Sequence, residues 1–93
     1  MQKTKEITTF VKAVTLRDLK DLTSIKNDIE EGMILIIRIT PLAQKSIEEL
    51  REAIDKLYDF VKSIEGDIAR LGEERVVITP PNVKIWKDSN KLQ

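Results

Sequence analysis

Residues 33–40, Met-Ile-Leu-Ile-Ile-Arg-Ile-Thr, constrain this chain more than any other stretch. In an extended backbone Met33, Leu35, Ile37 and Ile39 fall on one face, while Ile34 and Ile36 make the opposite face apolar at one end as well. Such a strand belongs in the interior of a sheet with both faces covered. Pro41 ends it, because proline cannot donate to a ladder. A chain of 93 residues is close to the lower limit for a self-sufficient core. An oligomeric interface would therefore add useful stability.

The flanking pattern supplies two helices. Residues 7–15 carry Phe10, Val11 and Val14 among Thr and Lys, which predicts a first strand. Thr15 with Asp18 offers an acidic capping box, and Leu19, Leu22, Ile25 and Ile29 then recur at helical spacing. Gly32 suits the position just past the helix, where a left-handed backbone carries no Cβ penalty. Ser46 with Glu49 caps a second, longer helix, whose stripe of Ile47, Leu50, Ile54, Leu57, Val61 and Ile64 steps by threes and fours. Ala53, Tyr58 and Phe60 widen that stripe beyond a single helix–sheet contact. Gly66 and Gly72 mark turns around a short strand at residues 67–71, and residues 76–79 form the next, stopped by Pro80-Pro81. Val83 and Ile85, alternating with Lys84 and Trp86, predict one more strand over residues 82–87.

The expected fold is therefore α/β (α+β): a β-α-β-α-β-β-β two-layer sandwich with a mixed sheet of about five strands and two helices on one face. Residues 1–9 read as a flexible N-terminal segment, 10–87 as the core domain and 88–93 as a frayed tail.

Composition removes whole classes of chemistry. There is no Cys and no His, which excludes disulfides, thiolate metal sites, Cys nucleophiles and imidazole acid–base catalysis. Ser46 and Ser63 have no nucleophile-elbow surroundings. No catalytic, metal or cofactor site is expected. The acidic pairs Glu30-Glu31, Glu48-Glu49 and Glu73-Glu74 read as solvated charge, since neighbours on a helix point about 100° apart. Sixteen basic and sixteen acidic residues cancel, without the basic excess of a nucleic-acid binder. Eleven Lys, nine Glu and thirteen Ile, with few Asn and Gln, lean towards a thermophile. No apolar run reaches bilayer-spanning length and no signal peptide opens the chain, so it reads as cytoplasmic. Trp86, the only tryptophan, is expected to pack at the core or a sheet edge, or else to anchor an interface.

Three pieces in order resemble the core of the SepF family. They are the apolar strand at residues 33–39 following a helix; Ile64-Glu65-Gly66-Asp67-Ile68 with Arg70, similar to the family's Ile-Gly-Gly-Asp-Ile and a basic residue two further on; and the strand at 76–79 with Pro80, Asn82 and Val83, similar to its Thr-Pro-x-Asn-Val. The resemblance covers residues 12–87. It implies a non-enzymatic cell-division adaptor, archaeal rather than bacterial. Such an adaptor forms a homodimer, binds the C-terminal tail of FtsZ and links it to the inner face of the membrane at the division site. By position it places the partner contacts at Arg70 and Val76, with Leu71 or Ile78 adding apolar area. Gly66 and Gly72 are the structural turns, and Ile34 and Ile36 are the candidates for a dimer interface on the helix-free sheet face. The outer stripe of the second helix is the alternative dimer surface.

The departures are Glu65 for the first Gly of the pair, Asp59 and Phe60 where bacterial members carry a small Gly, and Val76 where an aromatic is common. The family's membrane helix has no counterpart in residues 1–9, where Ile7 is the only sizeable apolar residue after Met1. Either the chain is an excised core, the favoured reading, or attachment occurs otherwise. Two competing readings stay open: a nucleic-acid-associated α/β dimer, kept alive by Lys84, Lys87 and Lys91, and a regulatory module with a small ligand between helix and sheet.

Overall fold

The computed structural model describes residues 8–87. The expectations for residues 1–7 and 88–93, including Lys91, lie outside the described residues. The elements run β1 (Val11–Thr15), α1 (Asp21–Glu30), β2 (Ile34–Arg38), α2 (Thr40–Lys45), α3 (Ile47–Ser63), β3 (Asp67–Leu71) and β4 (Arg75–Thr79). The sheet order is β1-β2-β4-β3, with β1 parallel to β2, and β4 antiparallel to both β2 and β3. The mixed α/β sandwich is as expected, but among the described residues the sheet has four strands and there is a third helix.

The apolar run places β2 in the sheet interior, between β1 and β4. Leu35 and Ile37 are fully buried on one face and pair with Ile78 and Val76. That face receives Leu22, Ile25 and Ile29 from α1, Leu42 from α2, and Ala53, Leu57 and Val61 from α3, forming one core. The opposite face carries Val11, Ala13, Ile34, Ile36, Val77 and Ala69, neighbours in the register and only partly buried or exposed. The expectation of helical or strand cover on both faces is thus met on one face alone.

Helix α1 starts later than the Thr15 box implied. Leu16 is fully buried, and its N–H continues the ladder to the Arg38 carbonyl at 2.9 Å, so the chain is still extended there. Asp21, not Thr15, organises the turn. Its carboxylate accepts the N–H of Arg17 at 2.8 Å and of Asp18 at 3.2 Å.

Helix α2 is absent from the sequence expectation. It occupies one and a half turns with Pro41 in its first turn, where a missing N–H costs nothing. Six residues are too few for a periodic signal to emerge. Helix α3 is capped by Ser46 as expected, its Oγ accepting the Glu49 N–H at 3.1 Å. The reciprocal half of the box is not formed: the Ser46 N–H goes to the Leu42 carbonyl at 2.8 Å, and Glu49 turns to Lys45 at 3.6 Å.

The expected strand over residues 82–87 is not a strand. Thr79 Oγ1 donates to the Val83 carbonyl at 2.6 Å, folding the chain back after β4. The Ile85 N–H then donates to the Asp67 carboxylate at 2.9 Å, and Lys87 Nζ reaches the same carboxylate at 2.9 Å. The segment is tied to β3 by one side chain instead of a backbone ladder. Trp86 consequently stands 89% exposed, which overturns its expected packing at the core or a sheet edge.

Candidate partner-binding groove

The turn into β3 fixes the position of Arg70. Helix α3 ends at Ser63 with Ile64 as its C-cap, and the following Glu65 takes a left-handed φ of 65°. Gly66 is needed for a different reason, since a Cβ there would overlap the Thr79 carbonyl oxygen. Gly72, at φ 73°, turns the chain between β3 and β4 as expected. Strand β3 is therefore held hard against β4, and its residues alternate sides. Ile68 and Arg70 share the helix-bearing face, opposite Ile78 and Val76, whereas Ala69 and Leu71 belong to the other face.

Between α3 and this end of the sheet lies an open groove in two adjoining parts. One, of about 290 Å³, is lined by Ile39, Ile47, Leu50, Arg51, Ile54, Asp55 and Arg70. The second, of about 200 Å³, is lined by Ile54, Tyr58, Ile68, Ala69, Arg70 and Val76. Ile54 and Arg70 belong to both, so Arg70 stands at the junction. Its guanidinium donates to the Glu73 backbone carbonyl at 3.4 Å and pairs with no carboxylate among the described residues. Tyr58 is 49% exposed, and Lys62 Nζ stands 5.4 Å from its ring centroid.

Of the residues expected at a partner site, the structure brings Arg70 and Val76 together. Val76 is only 2% exposed, so it forms floor and offers little area of its own. Ile78 is fully buried and belongs to the core, which removes it from the site. Leu71 is exposed but lies on the opposite sheet face from Arg70, because consecutive strand residues alternate. Sequence reasoning missed the α3 wall of Ile47, Arg51, Ile54 and Tyr58. The available signal was the apolar surplus on that helix, with Ile47, Ile54 and Tyr58 at helical spacing.

Asp67, at the start of β3, has a role that the sequence did not reveal. The Ile85 N–H, then Lys87 and the Ile68 N–H, hold its carboxyl well below the usual range, from 3.8 to about 2, against the opposing effect of burial. Lys84 donates to the Glu65 carbonyl at 2.9 Å. The described cations that kept a nucleic-acid surface open are both engaged within the fold.

The model for cell division protein SepF matches residues 11–85. The chain belongs to the SepF family. SepF of Haloferax volcanii is 30% identical over 66 residues, which cover 71% of this chain and 55% of that protein. An uncharacterised protein of Methanocaldococcus jannaschii is 32% identical over 78 residues, covering 84% of this chain and 52% of that one. The chain thus spans about half the length of these relatives. Among solved structures, a SepF-like protein from Pyrococcus furiosus superposes with a TM-score of 0.80 at 26% identity, covering 89% of this chain and all of that one. Another from Archaeoglobus fulgidus gives 0.77 at 26% identity, covering 90% and 98%. The expected resemblance is correct, and its archaeal leaning agrees with these relatives. The geometry also explains the SepF turn sequence: Glu65 occupies a left-handed position that suits glycine, while Gly66 is required by the approach of Thr79.

Proposed function

We propose that the chain is a non-enzymatic division adaptor whose groove between α3 and the β3–β4 end of the sheet takes the C-terminal tail of FtsZ. The observation that carries this reading is the groove itself. It has an apolar floor of Ile54, Ile68 and Val76, an exposed aromatic at Tyr58, and at its rim, where the two parts meet, a guanidinium with no carboxylate partner among the described residues. An apolar trough with a cation at its rim suits a short peptide that carries both apolar and acidic residues.

The helix-free sheet face supports the homodimer. Ile34, Ile36 and Val77 form a contiguous apolar strip there, bordered by Ala13 and Ala69, which a second copy would cover. A dimer formed through that strip would leave both grooves open. Among the described residues no helix is long and apolar enough to cross a membrane. Linkage to the membrane at the division site, on its inner face, belongs to the same reading, through the N-terminal amphipathic helix that the family resemblance implies.

Fluorescence anisotropy with a tail peptide from the same organism's FtsZ tests the groove. Tyr58→Ala should weaken binding by about 5- to 30-fold at any salt, as for a central aromatic anchor. Arg70→Glu should weaken it chiefly at low salt, because a rim charge is screened. Wild-type protein that fails to bind the peptide overturns the proposal, as does full affinity in both variants.

A further inference from the structure

The larger part of the groove holds a second unpaired cation. Arg51, on the second turn of α3, lines the same cavity as Arg70 on β3, so the two arginines belong to different walls of it. Neither has a carboxylate within ion-pair distance among the described residues, although Asp55 lies one helical turn from Arg51 and lines the same cavity. Elsewhere on α3 the i,i+4 pair of Glu52 and Lys56 does close, at 3.7 Å. Two arginines against one aspartate leave this cavity with a net positive charge. Beside them Ile47 is 52% exposed, an apolar side chain at the rim that gains by being covered.

We infer that this end of the groove is a carboxylate subsite, in which Arg51 and Arg70 together read an acidic side chain of the bound peptide while the adjoining apolar residue seats on Ile39, Ile47, Leu50 and Ile54. The inference rests on the groove being the peptide site and adds Arg51 as a specificity residue. A guanidinium presents its donors as a planar fork matched to a carboxylate, so two forks from opposite walls select an anion by geometry as well as charge. Asp55 in the same wall disfavours a second acid close by and so sets the register of the peptide in the groove.

The probe is the fluorescently labelled FtsZ tail peptide from the same organism, in parallel with a version whose acidic side chains are replaced by amides. Arg51 is exposed, so its substitutions should leave the circular dichroism spectrum unchanged. At about 50 mM salt Arg51→Ala should weaken the acidic peptide by about 3- to 5-fold and Arg51→Glu by about 10-fold, both effects shrinking at about 500 mM. Arg51→Lys should fall about 2-fold short of wild type, since it keeps the charge and loses the fork. The amide peptide should bind wild type more weakly and show no further loss on Arg51→Ala, as pairwise coupling requires. Ile47→Ser should weaken both peptides at either salt. Equal affinity of wild type and Arg51→Glu for the acidic peptide at low salt overturns the subsite and leaves the groove standing. No binding by wild type overturns the groove and the subsite together.

Discussion

Gly66 lies so close to the Thr79 carbonyl oxygen that no side chain fits between them. The contact joins the end of the α3–β3 turn to the last residue of β4, and it sets how tightly β3 lies along its neighbour. Gly66→Ala has no cheap relief, because the obstructing atom is backbone and Val61 Cγ1 is also only 3.3 Å from the added methyl. A loss of about 2–4 kcal/mol is expected, read as a fall in thermal midpoint. Gly72→Ala meets no atom within 4 Å and should cost only about 1 kcal/mol, from its φ of 73°.

Glu65 is expected to respond in the opposite direction. It holds φ 65° without the freedom of glycine, and its backbone carbonyl, not its side chain, receives Lys84. Glu65→Gly should relieve backbone strain of about 1–2 kcal/mol, partly offset by a more flexible unfolded chain. A net gain below about 1 kcal/mol in denaturant midpoint is expected, with the Lys84 contact retained.

Asp67 gives the fold an acid-sensitive tie. Its carboxyl titrates at about 2 when folded, against 3.8 for the free group. A depressed folded pKa stabilises above the unfolded value, so the contribution is full above about pH 5 and is lost as the pH falls from about 4 through 2. The shift corresponds to about 2 kcal/mol at neutral pH. Asp67→Asn can still accept the Ile85 N–H but loses the charge facing Lys87. The variant should be less stable at pH 7 and should show a flatter stability profile between pH 5 and pH 2. Identical profiles for the two proteins would refute the assignment.

On the helix-free face, Ile36 pairs with Ala13 on one side and Val77 on the other, at the middle of the apolar strip. Ile36→Lys should convert a dimer to a monomer at tens of micromolar by light scattering, because a lysine there desolvates an ammonium against a second copy of the same face. A dimer mass for that variant would move the interface to the outer stripe of α3.

The elements that follow from local chemistry were legible in the chain. Residues 33–40 demanded an interior strand, and β2 is one. Ser46 announced the start of α3, and the glycine at 72 announced the β3–β4 turn. The family was also legible, because its motif residues recur in order along the chain, although the demand for Gly66 comes from the remote Thr79 carbonyl. What failed did so through tertiary competition. Leu16 was drawn into the core and delayed α1, while Asp67 captured the chain after β4 by side-chain bonds and so withheld Ile85 from a ladder. Neither outcome has a sequence period.

The site divides along the same line. Arg70 and Val76 were expected by position and do line one groove, but alternation within β3 and β4 put Leu71 on the other face and Ile78 in the core. Arg51 and Tyr58 lie 19 and 12 residues before Arg70 in the chain, and only the packing of α3 against β3 brings them to one groove. Sequence alone determined the interior strand, the Ser46 cap, the turn at Gly72 and the family, because these are written in neighbours along the chain. Which residues share the groove was decided by tertiary structure, because that depends on how a helix face meets a sheet edge.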